Sequence, residues 1–141
     1  MTRYVVSVHQ EAVMQNTQPL KLLVVDDEPG IVHFVKKIYQ RKGFLTFGAT
    51  DGVSAVEIFQ KERPHISLID IHMPYSPIDG VETLKKIKEI DPGACCIMVT
   101  RITEKEKVEQ SRKLGAHSYI LKPLEVQDLD KAISSALNIN L

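Results

Sequence analysis

The residues with the most chemistry to offer are acids that follow short apolar runs. Asp26 and Asp27 follow Leu22–Val25, and Asp70 follows Ile66–Ile69. Two more runs end in other polar groups: Cys95–Val99 leads to the hydroxyl of Thr100, and Tyr119–Leu121 to the ammonium of Lys122. If these runs are strands of one sheet, acids, a hydroxyl and a cation meet at one edge. Two carboxylates about 4 Å apart repel by roughly 4 kcal/mol at an effective dielectric near 20. A divalent cation relieves that repulsion, and Mg2+ suits a site with few carboxylates that also takes a phosphate. Lys122 adds a fixed charge able to hold a phosphoryl oxygen, and Thr100 adds a donor. A carboxylate nucleophile, a metal and a lysine together suit phosphoryl transfer to an aspartate. Each residue also has a purely structural reading. Asp26-Asp27-Glu28 would cap the following helix and match its dipole, Asp70 would cap the next turn, Thr100 would cap the fourth helix, and Lys122 would be solvated.

The elements that must position these residues repeat five times from Lys21: an apolar run, a turn, then an amphipathic stretch. The second run in the chain, Phe44–Phe47, is broken by Thr46 and is expected towards a sheet edge. The other four are nearly continuous, as in parallel strands covered on both faces. Between them, Ile31, Phe34, Val35 and Ile38 mark a first helix stopped by Gly43; Val53, Val56 and Phe59 mark a second ended by Pro64. Val81, Leu84, Ile87 and Ile90 mark a third ended by Asp91-Pro92. A fourth opens with Thr103-Glu104-Lys105-Glu106, read as a capping box, and stops at Gly115; Val126, Leu129, Ile133 and Leu137 mark a fifth. The expected fold is α/β, a doubly wound five-stranded parallel sheet with five helices. Ligands of such sheets bind at the carboxyl ends of the strands, where the polar residues lie.

Composition narrows the function. The chain has 141 residues, 43% hydrophobic, enough for one domain with a packed core. Eighteen basic residues balance eighteen acidic ones, so no general field draws nucleic acid. No run approaches the roughly 18 apolar residues of a membrane helix, and Tyr4-Val5-Val6 is too short for a signal-peptide core. Cys95 and Cys96 are adjacent, so in a strand they point to opposite faces and make poor disulfide partners. A cytoplasmic location is expected. Residues 1–20 read as a leader or linker, with Met14 an alternative start, then a domain over 21–138 and a tail over 139–141.

From Lys21 to about Leu137 the chain resembles the receiver domains of bacterial two-component response regulators. The resemblance rests on LLVVDDEP at 22–29, LIDIHMP at 68–74, DG at 79–80, IMVT at 97–100 and YILKP at 119–123. It implies the flavodoxin-like, receiver type of fold. It implies that Asp70 is the phosphoacceptor and that Asp26 and Asp27 position Mg2+, with Asp70 and the main-chain carbonyl of His72 completing the metal's protein ligands. Lys122 would pair with the phosphoryl group, Thr100 would be the switch hydroxyl and Tyr119 the aromatic that turns inward with it. Lys122-Pro123 resembles the family's cis peptide. The donor would be a sensor histidine kinase or a histidine phosphotransfer protein, and partners would read the face made by the fourth helix, fifth strand and fifth helix. No enzyme activity beyond self-phosphorylation and slow autodephosphorylation is implied, and homodimerisation is left open.

Three features depart from the family's usual pattern. The loop Tyr75–Ile78 is two residues longer and is expected to bulge near the site. Arg101 stands where a small residue is usual; it would cover the phosphoryl group, reach an acid, or point to solvent. The His72 side chain would either influence the hydrolytic water or line the rim. His9, His33, His65 and His117 have no metal-ligand spacing, and Lys105, Lys107, Arg112 and Lys113 are expected on a solvated face. The chain stops soon after the fifth helix, which suits a stand-alone regulator or a receiver cut from a longer protein. Two other readings remain at this level: a receiver-like interaction module that is never phosphorylated, and a phosphohydrolase with an aspartyl nucleophile. The latter usually needs a second acid where this chain has His72.

Overall fold

A computed structural model describes residues 18–141. The expected leader, up to residue 17, lies outside the described residues, with Met14 and His9. The described chain alternates strand and helix: β1 (Lys21–Val25), α1 (Pro29–Arg41), β2 (Leu45–Ala49), α2 (Gly52–Glu62), β3 (Ile66–Asp70), α3 (Gly80–Ile90), β4 (Cys96–Thr100), α4 (Lys105–Lys113), β5 (Ser118–Leu121) and α5 (Val126–Leu137). The strands form one parallel sheet in the order β2-β1-β3-β4-β5. This is the expected architecture, with the run broken by Thr46 at one edge.

The pleat sorts the core into two halves. Leu22 and Val24 of β1 face one side with Leu68 and Ile97, under Val32, Val35 and Tyr39 of α1 and Leu129 and Ile133 of α5. Leu23 and Val25 face the other side with Ile69 and Met98, under Ala55 and Phe59 of α2 and Leu84 and Ile87 of α3. This alternation follows from the two-residue period of a strand, and the near-continuous apolar runs reflect burial on both faces. Fully burying one such side chain contributes about 1.5–3 kcal/mol, so the two layers fix the strand register. Leu20 and Ile139 also pack on the α1–α5 side.

Several boundaries differ from the sequence reading. β2 covers Leu45–Ala49 rather than Phe44–Phe47. Phe44 is buried in the preceding turn, edge-on to Tyr39 with ring centroids 5.5 Å apart. Gly48 sits where α1 crosses, and a Cβ there would run into the side chain of Val32. The expected capping box of the fourth helix does not form: α4 starts at Lys105, and Glu104 at the cap position makes no side-chain cap bond. The other helix ends fall as expected, with Gly43 at φ 93° after α1 and Pro64 following the left-handed Arg63 after α2. Cys95 and Cys96 are free thiols on opposite faces, and burial pushes the Cys96 thiol up to about 12.

Candidate functional site

Each chemically promising residue lies at the carboxyl end of a strand, because all the strands run the same way. β1 runs into Asp26, β3 ends in Asp70, β4 ends in Thr100, and Lys122 follows β5. The helix after β3 approaches this edge closely. Asp79 caps α3 by accepting the Glu82 N–H at 2.9 Å, and the Gly80 N–H donates to the Ile71 carbonyl at 3.0 Å. A Cβ on Gly80 would collide with the Asp70 carbonyl and come within 2.7 Å of Ile71 Cα, so only glycine admits that approach.

Asp26 and Asp70 are each 2% exposed. One cation serves both: Lys122 Nζ is 3.0 Å from Asp70 Oδ2 and 3.1 Å from Asp26 Oδ2, with Glu28 Oε1 farther off at 4.0 Å. Asp26 Oδ1 accepts the Glu28 N–H at 2.9 Å, and Asp27 Oδ2 accepts the Tyr75 N–H at 3.1 Å. Asp70 Oδ1 is buried and has no hydrogen-bond partner among the described residues. Burial, and then the Asp26 charge, push the Asp70 carboxyl up from 3.8 to about 7 against the opposing pull of Lys122. Burial is also the largest influence on Lys122 and would lower it, but Asp70 and Asp26 together hold its ammonium above the ordinary range.

The structural readings of these residues fail on particulars. Pro29 opens α1 with no side-chain cap, so the acidic pair does not cap that helix. Thr100 does not cap α4: its hydroxyl donates to the Arg101 carbonyl at 3.1 Å. Lys122 has a side chain only 12% exposed, which no solvated lysine would show.

The donor set fits a hard divalent cation. Asp26, Asp27 and Asp70 each offer a carboxylate oxygen, and these lie within 4.8 Å of one another. Oxygen donors alone, with a buried carboxylate oxygen left unpartnered, are the chemistry that Mg2+ or Ca2+ takes up.

Thr100 and Tyr119 occupy a second zone beside the acids. Tyr119 pairs with Met98, two residues before Thr100, so both project to the α4 side of the sheet. The Tyr119 hydroxyl donates to the Val108 carbonyl at 3.4 Å and lies 3.2 Å from Ser111 Oγ, whose proton goes to the same carbonyl at 2.7 Å, while the Arg112 guanidinium lies 5.6 Å from the ring centre. A cavity of about 430 Å³ reaches Thr100, Val108, Tyr119 and Leu121.

The departures from the usual pattern also find places. Tyr75 is 88% exposed while its N–H binds Asp27, and Ser76 Oγ accepts the Gly52 N–H at 2.8 Å. The longer loop is therefore tied to an acid of the site and to the start of α2. Arg101 is exposed and lines a groove of about 480 Å³ with Ile31, Phe34, Lys122 and Leu124. Lys107 is not merely solvated: it pairs with Asp79 at 2.8 Å and ties α4 to the start of α3. Glu104 escaped the sequence reading because it lay inside an apparent capping box. Its carboxylate instead turns back onto the loop, accepting the Arg101 N–H at 2.9 Å.

Comparisons with known proteins agree with this geometry. Residues 22–134 match the Response regulator receiver domain family. Sporulation initiation phosphotransferase F of Bacillus subtilis is 34% identical over 83% of this chain and 93% of its own length. Chemotaxis protein CheY of Halobacterium salinarum is 36% identical over 83% of this chain and 96% of its own. The crystal structure of a CheY-like response regulator receiver domain protein from Methanospirillum hungatei superposes with a TM-score of 0.81 at 30% identity, covering 86% of this chain and 95% of that one.

Proposed function

The chain belongs to the response regulator receiver domain family, and from that premise we propose that Asp70 accepts a phosphoryl group from a phosphohistidine and that the added charge resets the face that partners read. The observation that carries this reading is the buried Asp70 carboxylate, held at 3.0 Å by Lys122 with one oxygen unpartnered among the described residues. One Asp70 oxygen attacks phosphorus. The new P–O bond forms as the donor's P–N bond breaks, and the electron pair leaves on the imidazole nitrogen. Lys122 sits where it can follow the charge from carboxylate to phosphoryl oxygen. Asp26, Asp27, Asp70 and the His72 main-chain carbonyl would hold Mg2+. When bound, the ion supplies positive charge that offsets both the clustered acids and the transferring oxygens. The donor is a sensor histidine kinase or a histidine phosphotransfer protein, and the site of action is the cytoplasm. No helix among the described residues is long and apolar enough to cross a membrane.

The switch follows from the second zone. A phosphoryl oxygen on Asp70 offers the Thr100 hydroxyl a charge-assisted hydrogen bond, and the Tyr119 ring has a cavity to turn into. The face made by α4, β5 and α5 changes as a result. Beyond its own phosphorylation and slow autodephosphorylation the chain has no enzymatic turnover.

The test is incubation with a small phosphodonor and Mg2+, followed by intact-mass measurement. The wild type should gain about 80 Da, the mass of one phosphoryl group, and Asp70→Asn should gain none. No gain in the wild type would favour an interaction module that is never phosphorylated. An undiminished gain in Asp70→Asn would move the acceptor elsewhere.

A further inference from the structure

Glu104 occupies the cap position of α4, yet its carboxylate is not used on that helix. At a helix N-terminus an acid ordinarily faces the helix's own free N–H groups. Here the side chain is 13% exposed and folds back over the β4–α4 loop. Oε1 accepts the Arg101 N–H at 2.9 Å and lies 3.5 Å from the Thr100 hydroxyl. Oε2 lies 3.9 Å from His72 Nδ1, on the loop that leaves Asp70.

Thr100 has a single hydroxyl proton, and its two neighbours on the loop are the Arg101 carbonyl at 3.1 Å and Glu104. That same proton is the one a phosphoryl oxygen on Asp70 would need. We propose that Glu104 is a positioning residue of the resting state: its carboxylate holds the Arg101 loop in the form that keeps the Thr100 hydroxyl turned away from Asp70. The inference rests on the phosphoacceptor reading and adds what must be displaced for the switch to act. Phosphorylation replaces the single carboxylate charge of Asp70 with an acyl phosphate of up to about −2, a net gain of about one negative charge, carried on oxygens that reach further out from the strand end. Asp70 pairs with Val99, the residue before Thr100, so this charge arises at the strand end beside the loop that Glu104 folds over, with His72 just beyond Asp70 already 3.9 Å from Glu104 Oε2. Two effects then work together. The phosphoryl group attracts the hydroxyl and repels the acid. Glu104 lies immediately before Lys105, so its release also frees the first turn of α4. By linkage, whatever loosens Glu104 must tighten binding at the phosphoryl site by the same factor.

The test uses the full chain, with beryllofluoride plus Mg2+ as a stable phosphoryl mimic. Glu104→Ala removes the carboxylate; Glu104→Gln keeps an acceptor for the Arg101 N–H and removes only the charge. In the metal-free, unphosphorylated proteins, the amide NMR shifts of Thr100, Tyr119 and Lys105–Lys113 should move along the path that wild type follows when it binds the mimic. Glu104→Ala should move furthest, and it should bind the mimic about tenfold more tightly, the low end for a hydrogen bond to a charged group. In a Thr100→Ala background, removing Glu104 should give no such gain, whereas a merely structural effect would persist there. Variants that keep wild-type shifts and affinity, or a gain that survives in Thr100→Ala, would overturn the role of Glu104 alone. A wild type that does not bind the mimic would overturn the phosphoacceptor reading, and this inference with it.

Discussion

Asp26 and Asp70 are each 2% exposed and share one ammonium within 3.1 Å, whereas in the nine residues of α4 only Ser111 is buried. The acids stand at the ends of β1 and β3, strands with paired neighbours on both sides and helices over both faces. α4 instead rests on the half-buried Val108 and Leu114, an ion pair from Lys107 to Asp79, and a cap residue whose side chain is used elsewhere. A phosphoryl-transfer site gains from groups that do not move, because fixed charges cost no reorganisation when charge shifts. A readout element gains from the reverse: with few buried apolar contacts, displacing it costs little. One sheet carries both because its central strands are locked by two core layers and one covering helix is not.

The largest expected effect falls on the pocket. Lys122→Met leaves two buried carboxylates without their cation, and breaking such a pair typically costs about 3–5 kcal/mol. At pH 8, chemical denaturation should show a loss of this order, shrinking towards pH 5 as the Asp70 carboxyl takes up its proton. A loss under about 1 kcal/mol at pH 8 would mean that the pocket is held by something other than Lys122, and the contrast with α4 would weaken.

Next is the pH dependence of the metal-free protein. The Asp70 carboxyl rises from 3.8 to about 7 on folding. Between these values the folded state holds a proton that the unfolded chain has released, so raising pH favours unfolding. The group's contribution is fully present below about 4 and is lost as pH climbs through about 7. Asp70→Asn should flatten that part of the stability profile. A profile as steep in Asp70→Asn as in wild type would assign the proton to another group.

Thr100→Ala separates the pocket from the readout. Asp70, the acidic pair and Lys122 remain, so phosphorylation should proceed. The hydroxyl that would gain about 1.5–3 kcal/mol from the phosphoryl group is gone, so the shifts of Tyr119 and α4 should stay near their resting positions. Wild-type shifts across α4 in the phosphorylated variant would pass the relay to Arg101 or to the Tyr75–Ile78 loop.

The same contrast governs what could be read from sequence. The pocket was legible because burial on both faces leaves an unbroken apolar run, and Asp26, Asp70, Thr100 and Lys122 each stand where such a run stops. β2 runs past its apolar signal because its second half is Gly48-Ala49: α1 crosses there and admits no side chain at Gly48, so the signal fades before the strand does. Around α4 the sequence misled. Thr103 and Glu106 have the spacing of a capping box, but Glu104 binds the Arg101 N–H instead and the helix begins one residue later. Charged residues outside the apolar core carry no periodic trace of their partners, so the Lys107–Asp79 pair and the Glu104 contacts need three-dimensional placement.

The smallest expected effect tests the loose side of the comparison directly. Val108 is the apolar residue through which α4 packs against the α2–α3 side of the core, and it is only partly buried. Its carbonyl accepts from Ser111 and Tyr119, and truncating the side chain leaves both bonds possible. Val108→Ala should therefore cost about 1 kcal/mol or less, against about 2–5 kcal/mol for Leu84→Ala at a fully buried position of α3. Hydrogen exchange gives the finer measure. If α4 opens locally, its amides exchange through a transition smaller than global unfolding, and Val108→Ala should speed them about fivefold while α3 changes only as far as global stability falls. Should the α4 amides of wild type exchange as slowly as those of α3, the helix would open only with the whole domain. The contrast would then be one of exposure without a difference in mobility, and the switch would have to move α4 as part of the frame.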